Sequence, residues 1–337
     1  MAVFKLSKSS IIYVLCPANL KTGGTELLHQ LVKKLNDNNH QAYITYFFEG
    51  RQGDSIPFEF KKYVKEYRKE KDIVDSTNNL IIFPEVCIGK HRKYKKIQKA
   101  VWWLSVDNYF FTRGKLNRLH RYGVKSFLKH LYLRDYAHDK DIREIPVHLY
   151  QSYFAANFLK EIGVPSNKTF YLSDYVNDSY LNIYSDDLIE NKENNVIYNP
   201  KKGLEFTKKI IAHCNVPIKW IPIENMSNEE VIRLMKKSKV YIDFGNHPGK
   251  DRMPREAAMC GCCIITDLRG SAEFSEDVPI PNSYKFKDED KNLDLIMNKI
   301  EQCLINYKSS ISDFSDYRKY IQNEKQVFSR DVKRIFD

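Results

Sequence analysis

The chain has 337 residues, of which 42% are hydrophobic and 13% aromatic, and this length and composition predict two packed domains. Its 54 basic and 43 acidic side chains give a net charge of +11, which predicts an acidic partner such as a nucleic acid, an anionic lipid or a phosphorylated substrate. The seven cysteines are an odd number, and the single CxxC spacing, from Cys260 to Cys263, has no second pair to complete a zinc site, so we expect reduced thiols in a cytosol and no zinc site. No window approaches the roughly 20 apolar residues of a membrane span, which predicts a soluble or peripherally bound protein.

The chain begins with a predicted strand, loop, helix and strand. Residues 10–16 form an apolar, β-branched run, Gly23 and Gly24 lie in the loop, and residues 43–48 are the second strand. The glycine pair lets a ligand approach the backbone closely. Its spacing is not GxGxxG, so a nicotinamide dinucleotide is not expected.

Two further predicted strands, at residues 79–84 and 101–106, are each followed by an acid. Glu85 follows the first and Asp107 the second. The carboxyl ends of strands are where open α/β sheets bind ligands, so both acids are candidate proton acceptors, and a helix cap or a surface acid is the alternative for each. The basic run at residues 91–96 is either a solvated helix face or an anionic docking surface. A basic helix is predicted at residues 114–141.

The polar stretch at residues 182–195 is the best linker candidate, and a second α/β unit follows it. Lys201 and Lys202 lie in a loop after the strand at residues 196–198. A strand at residues 219–222 and a helix from residue 227 come next, and the tail at residues 317–336 is predicted to be a helix.

Residues 241–266 are the most informative stretch, because a strand, a glycine-bearing loop, a helix start and another strand follow in close succession. Asn, His, Lys, Asp, Arg and Glu are all present in this loop and helix. Loop amides and a helix N-terminus at the end of a strand can hold an anion, which favours a ligand site over a plain connection. Cys260, Cys262 and Cys263 are predicted to be small buried residues rather than a redox site.

Taken in order, these motifs resemble those of GT-B glycosyltransferases, especially the glycosyltransferase family 4-like group. The run Gly23-Gly24-Thr25-Glu26, with its leucine-rich helix and His40, is similar to the N-terminal GGxE pattern of that group. Residues 199–203 resemble its phosphate-contacting loop, and residues 254–265 resemble its LEAMAxGxPVI helix and strand. The resemblance implies an α/β fold with two Rossmann-like domains facing a cleft, at residues 1–181 for the acceptor and 195–315 for the nucleotide-sugar, with a C-terminal helix at residues 316–337 that returns to the N-terminal domain.

The resemblance also assigns roles to residues. Glu256 falls where the second glutamate of the family motif holds the nucleotide ribose. Pro248 stands where the family has another glutamate, so the resemblance does not decide between retention and inversion. His247, Lys250 and Arg252 would then take over contacts to the sugar or the phosphate.

The implied activity is transfer of a sugar from a nucleotide-sugar donor to a saccharide or lipid-linked acceptor, in bacterial surface polysaccharide or lipopolysaccharide assembly. Fixed positive charge would stabilise the leaving phosphate without a metal, so no metal and no other cofactor is expected. The enzyme would be cytoplasmic, in part at an anionic membrane surface on the inner face of the cell membrane. The donor-binding candidates are Gly23, Gly24, Lys201, Lys202, Lys250, Arg252 and Glu256, and the catalytic candidates are Asp107, Glu85 and His247.

Three alternatives remain open. A transferase of a CMP-linked acidic sugar is compatible with the His247-Pro248 dipeptide and the missing glutamate. A nucleic-acid-binding protein would explain the charge of +11, but the chain has neither an RRM signature nor zinc-finger spacing, so nucleic acid is not an expected partner. A non-catalytic GT-B scaffold is the third.

Overall fold

The structure, a computed structural model, describes residues 3–47, 56–113 and 136–337, together with residues 119, 123–125, 127–128 and 131–132. The chain forms two compact units. The first comprises Met1–Asp174 and Gln326–Asp337, and the second comprises Tyr175–Lys325. The long C-terminal helix therefore contributes residues to both units.

The first unit is built on a seven-stranded sheet with the strand order β3-β2-β1-β4-β5-β6-β7, in which every neighbouring pair is parallel. Of its central strands, β4 is buried at every residue and β1 at its five inner residues, which explains their continuous apolar sequences. The strands are β1 (Ile11–Pro17), β2 (Gln41–Phe47), β3 (Tyr67–Lys69), β4 (Leu80–Pro84), β5 (Gln98–Trp103), β6 (Val147–Tyr150) and β7 (Thr169–Tyr171). The helices are α1 (Gly23–Asp37), α2 (Val106–Thr112), α3 (Asp139–Glu144) and α4 (Tyr153–Glu161).

The second unit has a four-stranded parallel sheet in the order β11-β10-β8-β9. Its strands are β8 (Glu193–Tyr198), β9 (Lys219–Pro222), β10 (Ser238–Asp243) and β11 (Cys263–Thr266). The helices are α5 (Asp178–Leu181), α6 (Asp186–Glu190), α7 (Leu204–His213), α8 (Asn228–Lys237), α9 (Arg252–Met259), α10 (Leu293–Ile305), α11 (Tyr307–Ser312) and α12 (Ser315–Phe336).

Each sheet reverses its strand order once, and ligands of open parallel sheets bind at the carboxyl ends of the strands at that reversal. In the first sheet the reversal lies between β1 and β4, so the loops that begin α1 and follow β4 meet there. In the second sheet it lies between β8 and β10, so the loops before α7 and α9 meet. The two topologies thus select the segments that contain Gly23, Glu85, Lys202 and His247.

The strand predicted at residues 101–106 is correct for residues 101–103 and wrong for residues 104–106. The strand ends at Trp103, and α2 begins at Val106 because the Ser105 hydroxyl accepts the Asn108 N–H and caps the helix. Asp107 consequently lies in the first turn of a helix. Half of the residues in the basic helix predicted at 114–141 lie outside the described residues, and α3 begins within the last turn of that range.

The linker candidate at residues 182–195 contains α6 and the start of β8, and all of it belongs to the second unit. The seven cysteines are free thiols, and six are buried. Burial raises the pKa of Cys260 and of Cys262, so these thiols stay protonated and unreactive, as predicted. Among the described residues, no helix combines the length and the apolar character that crossing a bilayer needs.

Candidate functional site

Three loops at the carboxyl ends of β8, β10 and β11 pack backbone against backbone, because glycines stand at the contacts. A Cβ atom added to Gly203 would lie 2.0 Å from the Phe244 carbonyl oxygen, and one added to Gly270 would lie 2.0 Å from that of His247. Both glycines also have positive φ angles, of 56° and 59°. Side chains on these loops are therefore held close together.

His247 is at the centre of this loop cluster, and its side chain is fully buried. Its Nδ1 atom lies 3.0 Å from a carboxylate oxygen of Asp251. Its Nε2 atom lies 3.7 Å from Asp243 and 3.6 Å from Asp267. Asp243 in turn accepts a hydrogen bond of 2.7 Å from the Tyr241 hydroxyl. The imidazole thus faces three carboxylates and no solvent.

The carboxylates decide the charge of the imidazole. Burial alone would lower the pKa of His247, but Asp243, Asp251 and Asp267 outweigh it and raise the pKa to about 9. Burial raises the pKa of Asp267 to about 6, against the opposing effect of His247 and Arg269. At neutral pH His247 is an imidazolium that cannot accept a proton and cannot touch a substrate. This burial and charge weigh against a catalytic role for His247, which stays a prediction.

Lys202 and Asp251 form an ion pair at the edge of this cluster. Burial would lower the pKa of Lys202, but Asp251 and Asp243 more than compensate, so the pKa is raised and the ammonium stays charged. The Lys202 side chain is 29% exposed, so a ligand can still reach it. Lys201, beside it, is exposed and donates its backbone N–H to the Asn199 side chain at 3.0 Å.

The first turn of α9 carries a second ion pair. Arg252 contacts one carboxylate oxygen of Glu256 through Nε at 3.1 Å and through a terminal guanidinium nitrogen at 3.0 Å. Asp251 is the N-cap residue of α9, so the Lys202 pair and the Arg252 pair meet at the start of one helix. The structure therefore brings three predicted donor-binding residues together.

Lys250 belongs to a different contact. Its side chain is 2% exposed, and its ammonium lies 2.8 Å from Glu324 on α12. The other oxygen of Glu324 binds Arg255 at 2.8 Å. Lys250 therefore fastens the loop to the tail helix, and the structure does not place it beside Lys202.

In the first unit, the sites predicted at Gly23, Gly24 and Glu85 gather at the sheet reversal. Gly23 and Gly24 form the first turn of α1, and a Cβ atom on Gly24 would lie 3.6 Å from the Leu104 side chain. Glu85 is 2% exposed and accepts hydrogen bonds from the Leu104 N–H at 3.1 Å and from Asn108 at 3.3 Å. Burial raises the pKa of Glu85 to about 7, against the effect of these hydrogen bonds. Asp107 is half-buried nearby on α2.

Two groups of acids and histidine in the described part of the chain bring ligand-type atoms within 4.8 Å of one another: Asp243 with His247 and Asp251, and His91 with Asp141 and Glu144. In each group a basic side chain already binds a carboxylate, since Lys202 binds Asp251 and Arg92 binds Asp141. These donor sets fit internal ion pairs better than a divalent metal. The expectation that no metal takes part stays a prediction.

Sequence reasoning missed Asp243, Asp267 and Arg269. Asp243 ends β10, and Asp267 directly follows β11, its parallel neighbour. Arg269 binds Asp267 at 2.6 Å. The signal was present in the sequence, since two apolar runs each end in an aspartate, and the carboxyl ends of parallel neighbours lie side by side.

No model of a known protein family matches this chain, and no curated protein matches its sequence. Solved structures do share its fold. Sucrose-phosphate synthase from Thermosynechococcus elongatus aligns with 96% of this chain and 98% of its own, with a TM-score of 0.64 and 12% identity. HepE of Anabaena, in complex with UDP-glucose, gives the same coverage and TM-score with 14% identity.

A third structure of this fold is an α-glucosyltransferase in complex with UDP and a 13-mer DNA that contains an HMU base. It aligns with 96% of this chain and 100% of its own, with a TM-score of 0.55 and 10% identity. The chain therefore has the α/β fold of the GT-B glycosyltransferases, which confirms the fold class predicted from its motifs. Membership of the family 4-like group stays a prediction.

Proposed function

We propose that the protein is a glycosyltransferase that takes its sugar from a UDP-linked donor. The observation that carries this proposal is the placement of Lys202, Arg252 and Glu256 around the start of α9, at the reversal of the second sheet. The shared fold supports it, since HepE is in complex with UDP-glucose and the α-glucosyltransferase with UDP.

In this proposal the cations stabilise the leaving group. Lys202 and Arg252 place fixed positive charge at the diphosphate as its bond to the sugar breaks. Glu256 accepts hydrogen bonds from the ribose hydroxyls, and its pair with Arg252 orients the carboxylate. Lys201 is exposed and can join Lys202 at the phosphate. In the first unit, the amides at Gly23 and Gly24 are the proposed further donors of hydrogen bonds.

The acceptor hydroxyl needs a proton acceptor in an inverting reaction. Asp107 is the better candidate of the two acids in the first unit. Glu85 is nearly inaccessible, and both of its oxygens already accept hydrogen bonds that hold the loop after β5. We therefore assign the base to Asp107 and a structural role to Glu85.

The proposed acceptor is a saccharide or a lipid-linked saccharide in bacterial surface polysaccharide assembly, reached from the cytoplasm at an anionic membrane surface. Its support is the net charge of +11. The basic run at residues 91–96 is only partly available, since Arg92 binds Asp141 and Lys93 binds Glu70, whereas Lys95 and Lys96 are exposed. The basic residues at 114–118 and most of those up to 134 lie outside the described part of the chain.

Nucleotide binding tests the donor assignment. We expect UDP to raise the melting temperature more than GDP, CMP or ADP does, because the ligand that binds the folded state most tightly stabilises it most. A larger shift with CMP would support the acidic-sugar alternative instead.

Glu256→Ala and Lys202→Ala should each reduce sugar transfer and donor hydrolysis at least about tenfold, because each removes one charge-assisted hydrogen bond.

The matched control for this experiment is Lys208→Ala, because Lys208 is an exposed lysine on α7 that pairs with Glu205. It should keep wild-type transfer. If the Glu256 and Lys202 variants keep transfer as this control does, the assigned site is wrong, whereas a wild-type protein that neither transfers the sugar nor hydrolyses the donor would favour a non-catalytic GT-B scaffold.

A further inference from the structure

Asp251 occupies an unusual place for an N-cap residue. N-cap aspartates ordinarily accept a hydrogen bond from an N–H group in the first turn, but the Asp251 side chain makes no such bond to α9. Its carboxylate lies instead between the Lys202 ammonium and the Nδ1 atom of His247. The aspartate thus connects a partly exposed cation to a fully buried one.

The buried end of this connection is held from several sides. The His247 carbonyl oxygen accepts the Ser271 N–H at 2.8 Å and abuts Gly270, which fixes the backbone. The Nε2 atom faces Asp243 of β10 and Asp267 beyond β11. The imidazolium is therefore a rigid anchor for Asp251.

The cluster holds opposite charges in close contact. Its three carboxylates, on Asp243, Asp251 and Asp267, contact cations on His247, Lys202 and Arg269, and Arg269 also binds Asp288 at 3.2 Å. The other charged groups beside the cluster are paired as well, Arg252 with Glu256 and Arg255 with Glu324. Tyr241 donates its hydroxyl proton to Asp243. Loss of the imidazolium charge would leave an excess negative charge where an anionic ligand has to approach.

We propose that His247 and Asp251 are positioning residues, which hold the Lys202 ammonium in place so that its two remaining N–H groups are directed to the donor diphosphate. An ammonium has three donors, and Asp251 takes one of them. The proposal rests on the proposed function, because that function supplies the diphosphate. The opposite possibility is that Asp251 merely occupies Lys202 and competes with the phosphate.

Asp251→Asn separates these possibilities, because they predict effects of opposite sign. We expect it to weaken UDP binding, measured by calorimetry, about tenfold, and in a Lys202→Met background to change the affinity less than twofold. Tighter UDP binding by Asp251→Asn would show competition and overturn the proposal. An equal loss in both backgrounds would overturn it too, since Asp251 would then not act through Lys202.

His247→Gln tests the anchor through pH. The variant should bind UDP about tenfold more weakly than wild type at pH 7, and the ratio should approach one as the pH rises past about 9, where wild-type His247 loses its proton. Titration of the uracil ring affects both proteins equally, so the ratio cancels it. A ratio that stays constant from pH 7 to 10.5 would mean that the imidazolium charge does not matter.

A measurement without nucleotide distinguishes failure of this inference from failure of the proposed function. Asp251 holds Lys202 protonated, so acylation of Lys202 by an amine-reactive reagent, followed by mass spectrometry, should be slow in wild type. It should be at least fivefold faster in Asp251→Asn, with Lys201 as the internal reference. If wild type binds no nucleotide, the proposed function fails, whereas unchanged acylation of Lys202 in Asp251→Asn refutes the positioning network.

Discussion

Glu85 shows how burial at one residue makes stability depend on pH. Its pKa rises from 4.5 to about 7 on folding, so the folded state binds the extra proton. The stability that protonated Glu85 contributes to the folded state is fully present below pH 4.5 and is lost as the pH rises through 7. Glu85→Gln keeps an acceptor for the Leu104 N–H but has no charge to bury.

We therefore expect Glu85→Gln to be about 2–3 kcal/mol more stable than wild type at pH 8 and to flatten the pH dependence between pH 4.5 and 7. Urea unfolding at several pH values measures this difference. Glu59→Gln is the control, because Glu59 is a glutamate of the same unit that is 55% exposed, and it should follow the wild-type curve. If Glu85→Gln is less stable than wild type at pH 8, the hydrogen bonds of the ionised carboxylate stabilise the loop by more than the burial of its charge destabilises it.

At the residue scale, the sequence predicted which side chains belong to the site better than it predicted what they do. Lys202, Arg252 and Glu256 lie together as expected. His247 and Lys250 are basic residues of the same loop, but His247 faces three carboxylates and Lys250 binds Glu324, about 70 residues away in the chain. Such partners come from tertiary contacts, which motif spacing does not contain.

At the scale of elements, the glycine contacts decide how the loops pack. Gly203→Ala should lower the free energy of unfolding by about 2–5 kcal/mol, because the methyl group would meet the Phe244 carbonyl at a φ angle of 56°. Gly163→Ala is the matched control, since Gly163 also has a positive φ, of 81°, but no atom within 4 Å of the added methyl group. It should cost about 1–2 kcal/mol, and equal costs in urea unfolding would argue against the tight loop contact.

The elements themselves were largely predictable. Buried parallel strands have continuous apolar sequences, so the sequence predicts β1, β4 and β10. The strand predicted at residues 101–106 extends past Trp103 because the apolar residues run on from β5 into α2. The stop signal was Ser105, a single N-cap residue that was read as part of the strand.

At the scale of the whole molecule, the order of the motifs predicted the fold class, because each loop motif follows the strand that the topology requires. The reversal of each sheet was not predictable from local pattern, since it depends on which strands pair. Once the orders β2-β1-β4 and β10-β8-β9 are known, the two loop clusters follow. The motifs predict the individual loops, and the strand order of each sheet shows which of these loops come together.

The net charge is also a property of the whole molecule, and it predicts salt-sensitive attraction to anionic surfaces. We expect the protein to bind vesicles that contain phosphatidylglycerol, and to lose most of this binding between about 50 and 300 mM salt. Lys95→Glu with Lys96→Glu should weaken the binding at least about tenfold, since each exposed basic residue near such a surface contributes about 1 kcal/mol. Lys208→Glu with Lys209→Glu makes the same charge change on the second unit, and should have less than a third of that effect if the first unit docks. Equal losses of vesicle binding in the two double variants would mean that net charge attracts the vesicles without a docking face. Retention of a DNA duplex in a gel at 150 mM salt would favour the nucleic-acid alternative over the membrane.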